Sequence, residues 1–462
     1  MSSTSSPNQA KFTTGSTMRH VLVMTSTGSI GLIAIFLVDF ANLFYISHLG
    51  VSELAAAIGY AGTLMFFNTA IGVGLSIAAS ATVSRKIGAG DKQRAGEMAA
   101  LAIGTSFIIP ALFIAAVYPF LGSLLSALGA KGTAYSFALS FLQIAIPSMP
   151  FLCVGMTMSA LLRSVGDAKW AMTLTLSAGV ITALLDPLFI FWMDLGTDGA
   201  AIVSAIARVG MALIGAYACF HVHKLIRMPN LSNIASDLKA LSYVAVPAIL
   251  TNISTPIGNA WVTSEIAQFG DESVAGWAVV GRIIPVAFGA LFALSGAVGP
   301  ILGQNLGAKL HLRLKHIMRD SIVFVGIYSF TAWGLLFLLK EPIATLFNAE
   351  GESRALILFF CSFAAAGFVF NGALFVTNAA FNNLGYPLYS TGFNWARATI
   401  GTIPFTVIGG MYFGANGVLA GQAIGGILFG VGALWLCIRT LNKLVKAQEG
   451  QTISFKASEI AQ

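Results

Sequence analysis

Long apolar runs alternate along the chain with short polar breaks. Stretches of about 20 or more apolar residues are separated by clusters of Gly, Pro and charged residues. A bilayer core about 30 Å thick is crossed by about 20 helical residues, and the runs lack the period-two alternation of a barrel. The pattern therefore predicts an all-α polytopic membrane protein with twelve transmembrane helices.

The breaks set the limits of the predicted spans. These are 21–48, 53–80, 96–120, 136–161, 170–193, 200–222, 240–268, 275–299, 318–339, 356–380, 390–412 and 415–438. The first 20 residues are polar, and the apolar run that follows is too long and starts too late for a cleavable signal. The first run is therefore expected to be a retained span.

Composition supports the prediction of a membrane protein, and the distribution of charge predicts its orientation in the membrane. The 462 residues are 56% hydrophobic and 9% charged, whereas a soluble domain is about a quarter charged. With the N-terminus in the cytoplasm, 19 of the 25 Lys and Arg residues fall on cytoplasmic segments and only 3 on outer ones. The positive-inside rule then predicts that both termini are cytoplasmic, in a bacterial-type inner (plasma) membrane. Because topology accounts for the net charge of +7, no nucleic-acid partner is expected.

The two halves of the chain repeat one plan. "VSRKIGAGDKQR" at 83–94 matches "LGQNLGAKLHLR" at 302–313, and "LLRSVGDAKW" at 161–170 matches "AFNNLGYPLY" at 380–389. The offset spans six helices, an even number, so the halves are parallel repeats about an axis along the membrane normal, a transporter plan. The predicted parts are a cytoplasmic tail 1–20, an N-lobe 21–222, a cytoplasmic linker 223–239, a C-lobe 240–438 and a tail 439–462.

Several short motifs, in order and spacing, resemble the multidrug and toxic compound extrusion (MATE) family: "HLG" after span 1, "GAGD" after span 2, "SVGDAK" after span 4 and "DP" in span 5. The likeness covers roughly residues 20–440. It implies an antiporter that expels small organic cations by rocking of its lobes, driven by proton or sodium entry. Asp39 and Asp186 match the two N-lobe acids of the DinF-like branch. Two departures are Thr27, where a proline is common, and Thr182, where the branch has an asparagine.

Both acids lie deep in the predicted membrane. Counted from the outer turns at about 1.5 Å per residue, Asp39 and Asp186 are roughly 15–17 Å below the surface. An acid at that depth costs at least about 2.5–3.5 kcal/mol, which favours a functional role over a structural acid satisfied by hydroxyls. The repeat places Asn259 and Pro404 at the corresponding positions, so the acids belong to the N-lobe alone. We expect them to be the cation-coupling residues.

Other polar residues could support or oppose this assignment. A supporting network is predicted from Asn42, Tyr45, Ser177, Thr182 and Ser204. Pro187 should distort span 5 beside the second acid. Arg208 reaches a similar depth in span 6, and intramembrane charges often pair. It is therefore a possible partner of Asp186, which would make that acid structural.

The remaining expectations concern coupling and rival functions. Two nearby carboxylates in an apolar environment resist double ionisation, so a proton is favoured over sodium as the coupling ion, although sodium at Asp39 and Asp186 stays open. No cofactor, other metal site or enzyme activity is predicted, and a monomer is expected. A lipid-linked substrate flippase of the same superfamily is the main alternative. An integral-membrane enzyme or a channel is remote, because no HExxH, GxSxG or pore-loop motif occurs.

Overall fold

The structure is a computed structural model. It describes the backbone of residues 10–47 and 52–460 and the side chains of residues 10–33, 57 and 59–448. Within these ranges every regular element is helical. Ten described stretches are long and apolar enough to cross a membrane. The first predicted span falls largely outside the described side chains, and one stretch, 387–448, contains two predicted spans, so the predicted twelve spans are confirmed.

The first half contains eight helices. They are α1 (Thr17–Ser47), α2 (Ser52–Gly88), α3 (Lys92–Val117), α4 (Leu121–Ala127), α5 (Gly132–Ala145), α6 (Met149–Ser164), α7 (Ala168–Pro187) and α8 (Gly196–Tyr217). Helices α5 and α6 together form span 4, while α7 and α8 form spans 5 and 6. Most helices extend beyond the predicted apolar limits because their ends carry polar residues that stay helical outside the apolar run.

The second half contains seven helices. They are α9 (Ile234–Ala267), α10 (Asp271–Gly307), α11 (His311–Leu346), α12 (Gly351–Ser362), α13 (Phe368–Leu384), α14 (Pro387–Ala398) and α15 (Ile403–Ile460). Helix α15 has non-helical backbone angles at Phe413 and Gly414, where φ of Gly414 is +61°. This break is the predicted turn between spans 11 and 12, and only glycine adopts such an angle readily.

Spans 4 and 10 are broken, although the apolar pattern predicted continuous helices there. A 3-10 turn at Ile146–Ser148 separates α5 from α6, and a second at Ala364–Gly367 separates α12 from α13. Pro147 explains the first break because it cannot donate a helical hydrogen bond. The second break lies at the repeat-related position without any proline, so the interruption belongs to the shared plan of the halves.

The chain divides into two compact units that differ from a simple cut at the linker. Unit 1 includes Thr27–Ile249, and unit 2 includes Ala10–Ser26 and the chain from Leu250 onward. Helices α1 and α9 therefore each begin in one unit and continue in the other. The predicted lobes 21–222 and 240–438 remain predictions about which helices move together.

The segment before α1 is docked into unit 2. Phe12 is 1% exposed, its backbone N–H donates to Gln304 Oε1 at 2.9 Å, and Asn305 Nδ2 donates to its carbonyl at 3.0 Å. Arg313 Nη2 donates to the carbonyls of Phe12 and Gly15, both at 3.1 Å. This part of the predicted polar tail is thus held by residues of the repeated "LGQNLGAKLHLR" motif.

We predict that Phe12→Ala destabilises unit 2 strongly. Emptying the site of a buried phenylalanine costs about 3–5 kcal/mol. Thermal unfolding of the purified protein in detergent should show a clearly lower Tm for Phe12→Ala than for the matched Phe363→Ala, since Phe363 is 68% exposed. Equal Tm values for the two variants would contradict the anchoring role of Phe12.

Candidate functional site

Asp186 is a buried acid near the end of α7. Its side chain is 1% exposed, and Oδ1 has no hydrogen-bond partner among the described residues. No described ion pair includes it. A buried carboxylate oxygen without a hydrogen-bond partner destabilises the folded protein. An acid inside a membrane span usually marks an ion or substrate pathway. Asp186 therefore has hydrogen-bonding capacity to offer to an ion or a ligand.

The backbone next to this acid is irregular, as the sequence predicted. Pro187 ends α7, and the five residues Leu188–Trp192 form a π-helical turn closed by a bond from Met193 N to Leu188 O at 2.9 Å. Proline cannot donate to the carbonyl four residues earlier, so a backbone acceptor is freed beside Asp186. π-turns of this kind are frequent at functional sites.

The first turn of α8 holds this π-turn in place. A Cβ on Gly199 would lie 2.7 Å from Phe189 O, so the two backbones approach more closely than any other residue would permit. Asp198, also in this turn, accepts a hydrogen bond from Ser140 Oγ at 2.7 Å. Helix α5, the π-turn after α7 and the first turn of α8 are thus tied together.

Of the two predicted supporting residues on α7, only one shares a face with Asp186. Thr182 lies four residues earlier, about 40° around the helix, and is 8% exposed. Ser177 lies nine residues earlier, which is about 180° around and roughly 13 Å along the axis. Both hydroxyls donate to their own helix, at Ala178 O and Leu174 O. Ser177 is therefore removed from the Asp186 network, and Thr182 can contribute only as an acceptor.

Arg208 does not pair with Asp186, contrary to the possibility raised by the sequence. Its Nη1 donates to Ala145 O and to Ser148 Oγ, both at 2.8 Å. Ala145 precedes the break in span 4 and Ser148 is the last residue of the break, where carbonyls lack helical donors. No ion pair within 4.0 Å joins Arg208 to Asp186 in the described part of the chain. Ser204, one turn earlier on α8, is half-buried and has no described hydrogen bond.

The sequence did not identify Ala145 and Ser148 as partners of Arg208. The available signal was Pro147, a proline inside an apolar span at a depth similar to that of the arginine. A proline there predicts free carbonyls, and free carbonyls at that depth compete with Asp186 for a buried guanidinium.

The side chains of Asp39, Asn42 and Tyr45 lie outside the described residues, so their predicted roles stay predictions. Their helix, α1, packs on α7 at a point that precedes both acids in the sequence, where a Cβ on Gly31 would lie 3.2 Å from Thr175 Cβ. Asp186 follows Thr175 by eleven residues, about 20° around α7. Asp186 is thus on the face of α7 that contacts α1.

A separate apolar cavity of about 220 Å³ lies in unit 1 between α2, α3, α4 and the span-4 break. Its lining includes Met65, Phe67, Phe113 and Met149, with Asn68 among them. Methionine and phenylalanine side chains adapt to apolar ligands of different shapes. The cavity adjoins the break that Arg208 holds, because Ile146 and Met149 line it on either side of Ser148.

Comparison with known families settles the class of protein. The MatE family model matches residues 29–188 and 247–408. The chain belongs to the MatE family. The starts and the ends of the two matched segments are separated by the same offset of about 220 residues that relates the repeated motifs. The duplication predicted from the sequence is therefore confirmed, and members of this family are transporters that couple to ion gradients. Assignment to the DinF-like branch stays a prediction.

Individual relatives cover nearly the whole chain. A protein of Shewanella oneidensis named FAD transporter is 27% identical, covering 94% of this chain and 97% of its own. The multidrug export protein MepA of Staphylococcus aureus is 22% identical, covering 82% and 84%. The crystal structure of a mutant of the Vibrio cholerae MATE transporter VcmN matches with a TM-score of 0.87 and 26% identity, covering 93% and 97%. The chain is thus similar to transporters of the same length and fold.

We predict that Arg208 is energetically coupled to Ser148 and not to Asp186. In double-mutant cycles of the free energy of unfolding, Arg208→Met with Ser148→Ala should deviate from additivity by about 0.5–3 kcal/mol. Arg208→Met with Asp186→Asn should be additive within about 0.5 kcal/mol. Reversible denaturant unfolding in mixed micelles measures the wild type and all five variants. The opposite pattern would restore Asp186 as the partner of Arg208.

Proposed function

We propose that the protein is a secondary active efflux antiporter that exports small organic cations in exchange for protons. Its coupling carboxylates are Asp39 and Asp186, and both termini are in the cytoplasm of a bacterial-type inner membrane. The observation that carries the proposal is Asp186, an acid that is 1% exposed in an apolar span and whose Oδ1 has no described partner.

Among the described residues no arginine pairs with Asp186, and this gives the acid its coupling potential. A salt bridge with Arg208 would have kept Asp186 deprotonated throughout a transport cycle, because the guanidinium would have balanced the charge of the carboxylate. Since Arg208 donates to Ala145 O and Ser148 Oγ instead, a proton or another cation must neutralise Asp186 when it is buried. A group whose neutralisation depends on a mobile ion has different affinities for that ion in buried and hydrated states.

The contact between α1 and α7 supports the pairing of the two acids. Helices α1 and α7 run in the same direction as odd-numbered spans. From the contact of Gly31 with Thr175, Asp39 is eight residues further along α1 and Asp186 eleven further along α7. At about 1.5 Å per residue the two positions rise by roughly 12 and 17 Å. They reach similar depths, as the outer-turn counts also predict.

A proton fits the described surroundings better than sodium. Sodium requires several preorganised oxygen ligands, but of the two predicted hydroxyls on α7 only Thr182 shares the face of Asp186, since Ser177 lies about 180° around the helix. A proton needs only one carboxylate oxygen. Sodium binding with the help of Ser204 and the carbonyl freed by Pro187 is the alternative to be tested.

We predict that Asp186→Asn and Asp39→Asn each abolish proton-driven efflux without preventing expression, because asparagine keeps the shape and removes the titration. In everted vesicles at fixed membrane potential, a pH jump in sodium-free buffer should drive cation transport by the wild type and by Asp194→Asn, but not by the two site variants. Asp194→Asn is the matched control, since Asp194 is an exposed acid eight residues further on. Transport driven by a sodium gradient and indifferent to pH would refute the proton assignment.

An anionic cargo is the second candidate. The relative named FAD transporter is more similar to this chain, at 27% identity, than MepA at 22%. A flavin dinucleotide carries a pyrophosphate, so this candidate shares anionic cargo with the lipid-linked flippase alternative. The unpaired acid argues against it, because Asp186 repels an anion unless it is protonated.

We predict that the protein transports a lipophilic cation such as ethidium and does not transport FAD. Uptake of each compound into everted vesicles is measured under the same pH gradient, with Asp186→Asn as the inactive reference. Saturable FAD uptake that depends on Asp186, without ethidium uptake, would transfer the proposal to an anionic cargo while leaving the coupling role of the acid intact.

A further inference from the structure

A second cavity of unit 1 lies on the face predicted to be cytoplasmic. It has a volume of about 470 Å³ and is formed by the end of α2, the first turn of α3 and the linker segment 224–228. Three cations line it: Lys92, Lys224 and Arg227. We call this cavity the basic pocket.

The three cations have no partner in the described part of the chain. None of them takes part in a described ion pair or side-chain hydrogen bond. The one carboxylate of the lining, Glu97, is already engaged by Arg94 Nη1 at 2.7 Å and by Gln93 Nε2 at 3.2 Å. The pocket therefore presents uncompensated positive charge.

The linker is fixed against α3 by a close backbone approach. Arg227 N donates to Gly96 O at 3.3 Å. A Cβ on Gly96 would lie 2.5 Å from both Leu225 O and Arg227 Cγ, so only glycine permits the contact. Lys224 has a φ of +47°, a left-handed conformation that non-glycine residues rarely adopt. The linker cations are thus built into place beside Lys92, and do not depend on a flexible loop.

Apolar groups adjoin the cations. Ile87 and Leu225 line the pocket, and two exposed apolar side chains follow in the linker, Met228 at 93% and Leu231 at 84% exposure. Exposed apolar residues beside basic ones are typical of a surface that meets the lipid interface. Lysine and arginine bind phosphate oxygens by charge-assisted hydrogen bonds.

We propose that the basic pocket binds a phosphate group, carried either by the headgroup of an anionic membrane phospholipid or by a small soluble phosphate ester. Phosphate oxygens accept from Lys92, Lys224 and Arg227, and the acyl chains of a phospholipid cover Ile87 and Met228. This site is independent of the coupling carboxylates and of the cargo.

The test compares two triple variants of the full chain with equal loss of charge. Lys92→Gln/Lys224→Gln/Arg227→Gln removes the pocket cations, and Lys169→Gln/Lys443→Gln/Lys446→Gln removes exposed cations elsewhere. Binding of phosphatidylglycerol relative to phosphatidylcholine is measured by native mass spectrometry of the detergent-solubilised protein. The pocket triple should lose about fivefold in phosphatidylglycerol affinity for each cation removed, and the control triple should bind like the wild type.

A second pair of variants keeps every charge. Gly96→Ala should weaken phosphatidylglycerol binding because its Cβ must displace the Leu225 carbonyl. Gly104→Ala in the same helix should have no effect, since nothing lies within 4 Å of its Cβ position. Normal binding by Gly96→Ala, equal losses in both triples, or no preference of the wild type for phosphatidylglycerol would each overturn the proposal.

A soluble arm separates the two sources of phosphate. Inorganic phosphate and glycerol 3-phosphate are titrated against the wild type and the pocket triple, and thermal unfolding is monitored. Stabilisation of the wild type alone by these compounds supports a free phosphate ester as ligand. Selective phosphatidylglycerol binding without such stabilisation supports the lipid headgroup.

Discussion

The cost of leaving a polar group unpaired in an apolar environment organises the described part of unit 1. The hydroxyls of Ser106 and Thr157 bond to each other at 2.7 Å, and that of Thr182 bonds to its own helix. Arg208 is satisfied by two oxygens at the break in span 4. Asp186 is an acid for which the described residues provide no such solution. Because the donors of Arg208 and Thr182 are satisfied elsewhere, Asp186 Oδ1 is left available for an exchangeable ion.

The duplicated plan shows which features belong to the fold and which to one half. Both halves break the same span, but different residues lie against the two breaks. The first half supplies Arg208, whereas the corresponding stretch of the second half has glycine. Further along, α15 packs closely on α13 just after the break, where a Cβ on Gly430 would lie 2.6 Å from Phe370 O. Since neither solution requires an acid, Asp186 is not explained by the stability of the fold.

The sequence predicted the spans well and direction around the helix poorly. Span limits follow from apolar length, which is why the twelve spans and the duplication could be read directly. Asp186 and the carbonyls freed near Pro147 have similar predicted depths, so depth alone did not identify the partner of Arg208. The break in span 4 left no gap in the apolar pattern, and the free carbonyls were therefore not predicted. The misplacement of Ser177 was avoidable, since nine residues make two and a half turns. The burial of Phe12 had no signal, because it lies in a polar segment.

The charge of Asp186 links the sign of the cargo to the sense of coupling. At such a negative site a cation and a proton would compete, so that binding of one would favour release of the other, which is exchange. An anion would bind better after the acid is protonated, and anion and proton would then move together. Because coupling between two ligands is reciprocal, the relation between cargo charge and the direction of coupling depends on the site and not on the lobe motion. An acid without an arginine partner is thus suited to cation–proton exchange, and a phosphorylated anion would need compensating cations near it that the described surroundings of Asp186 do not include.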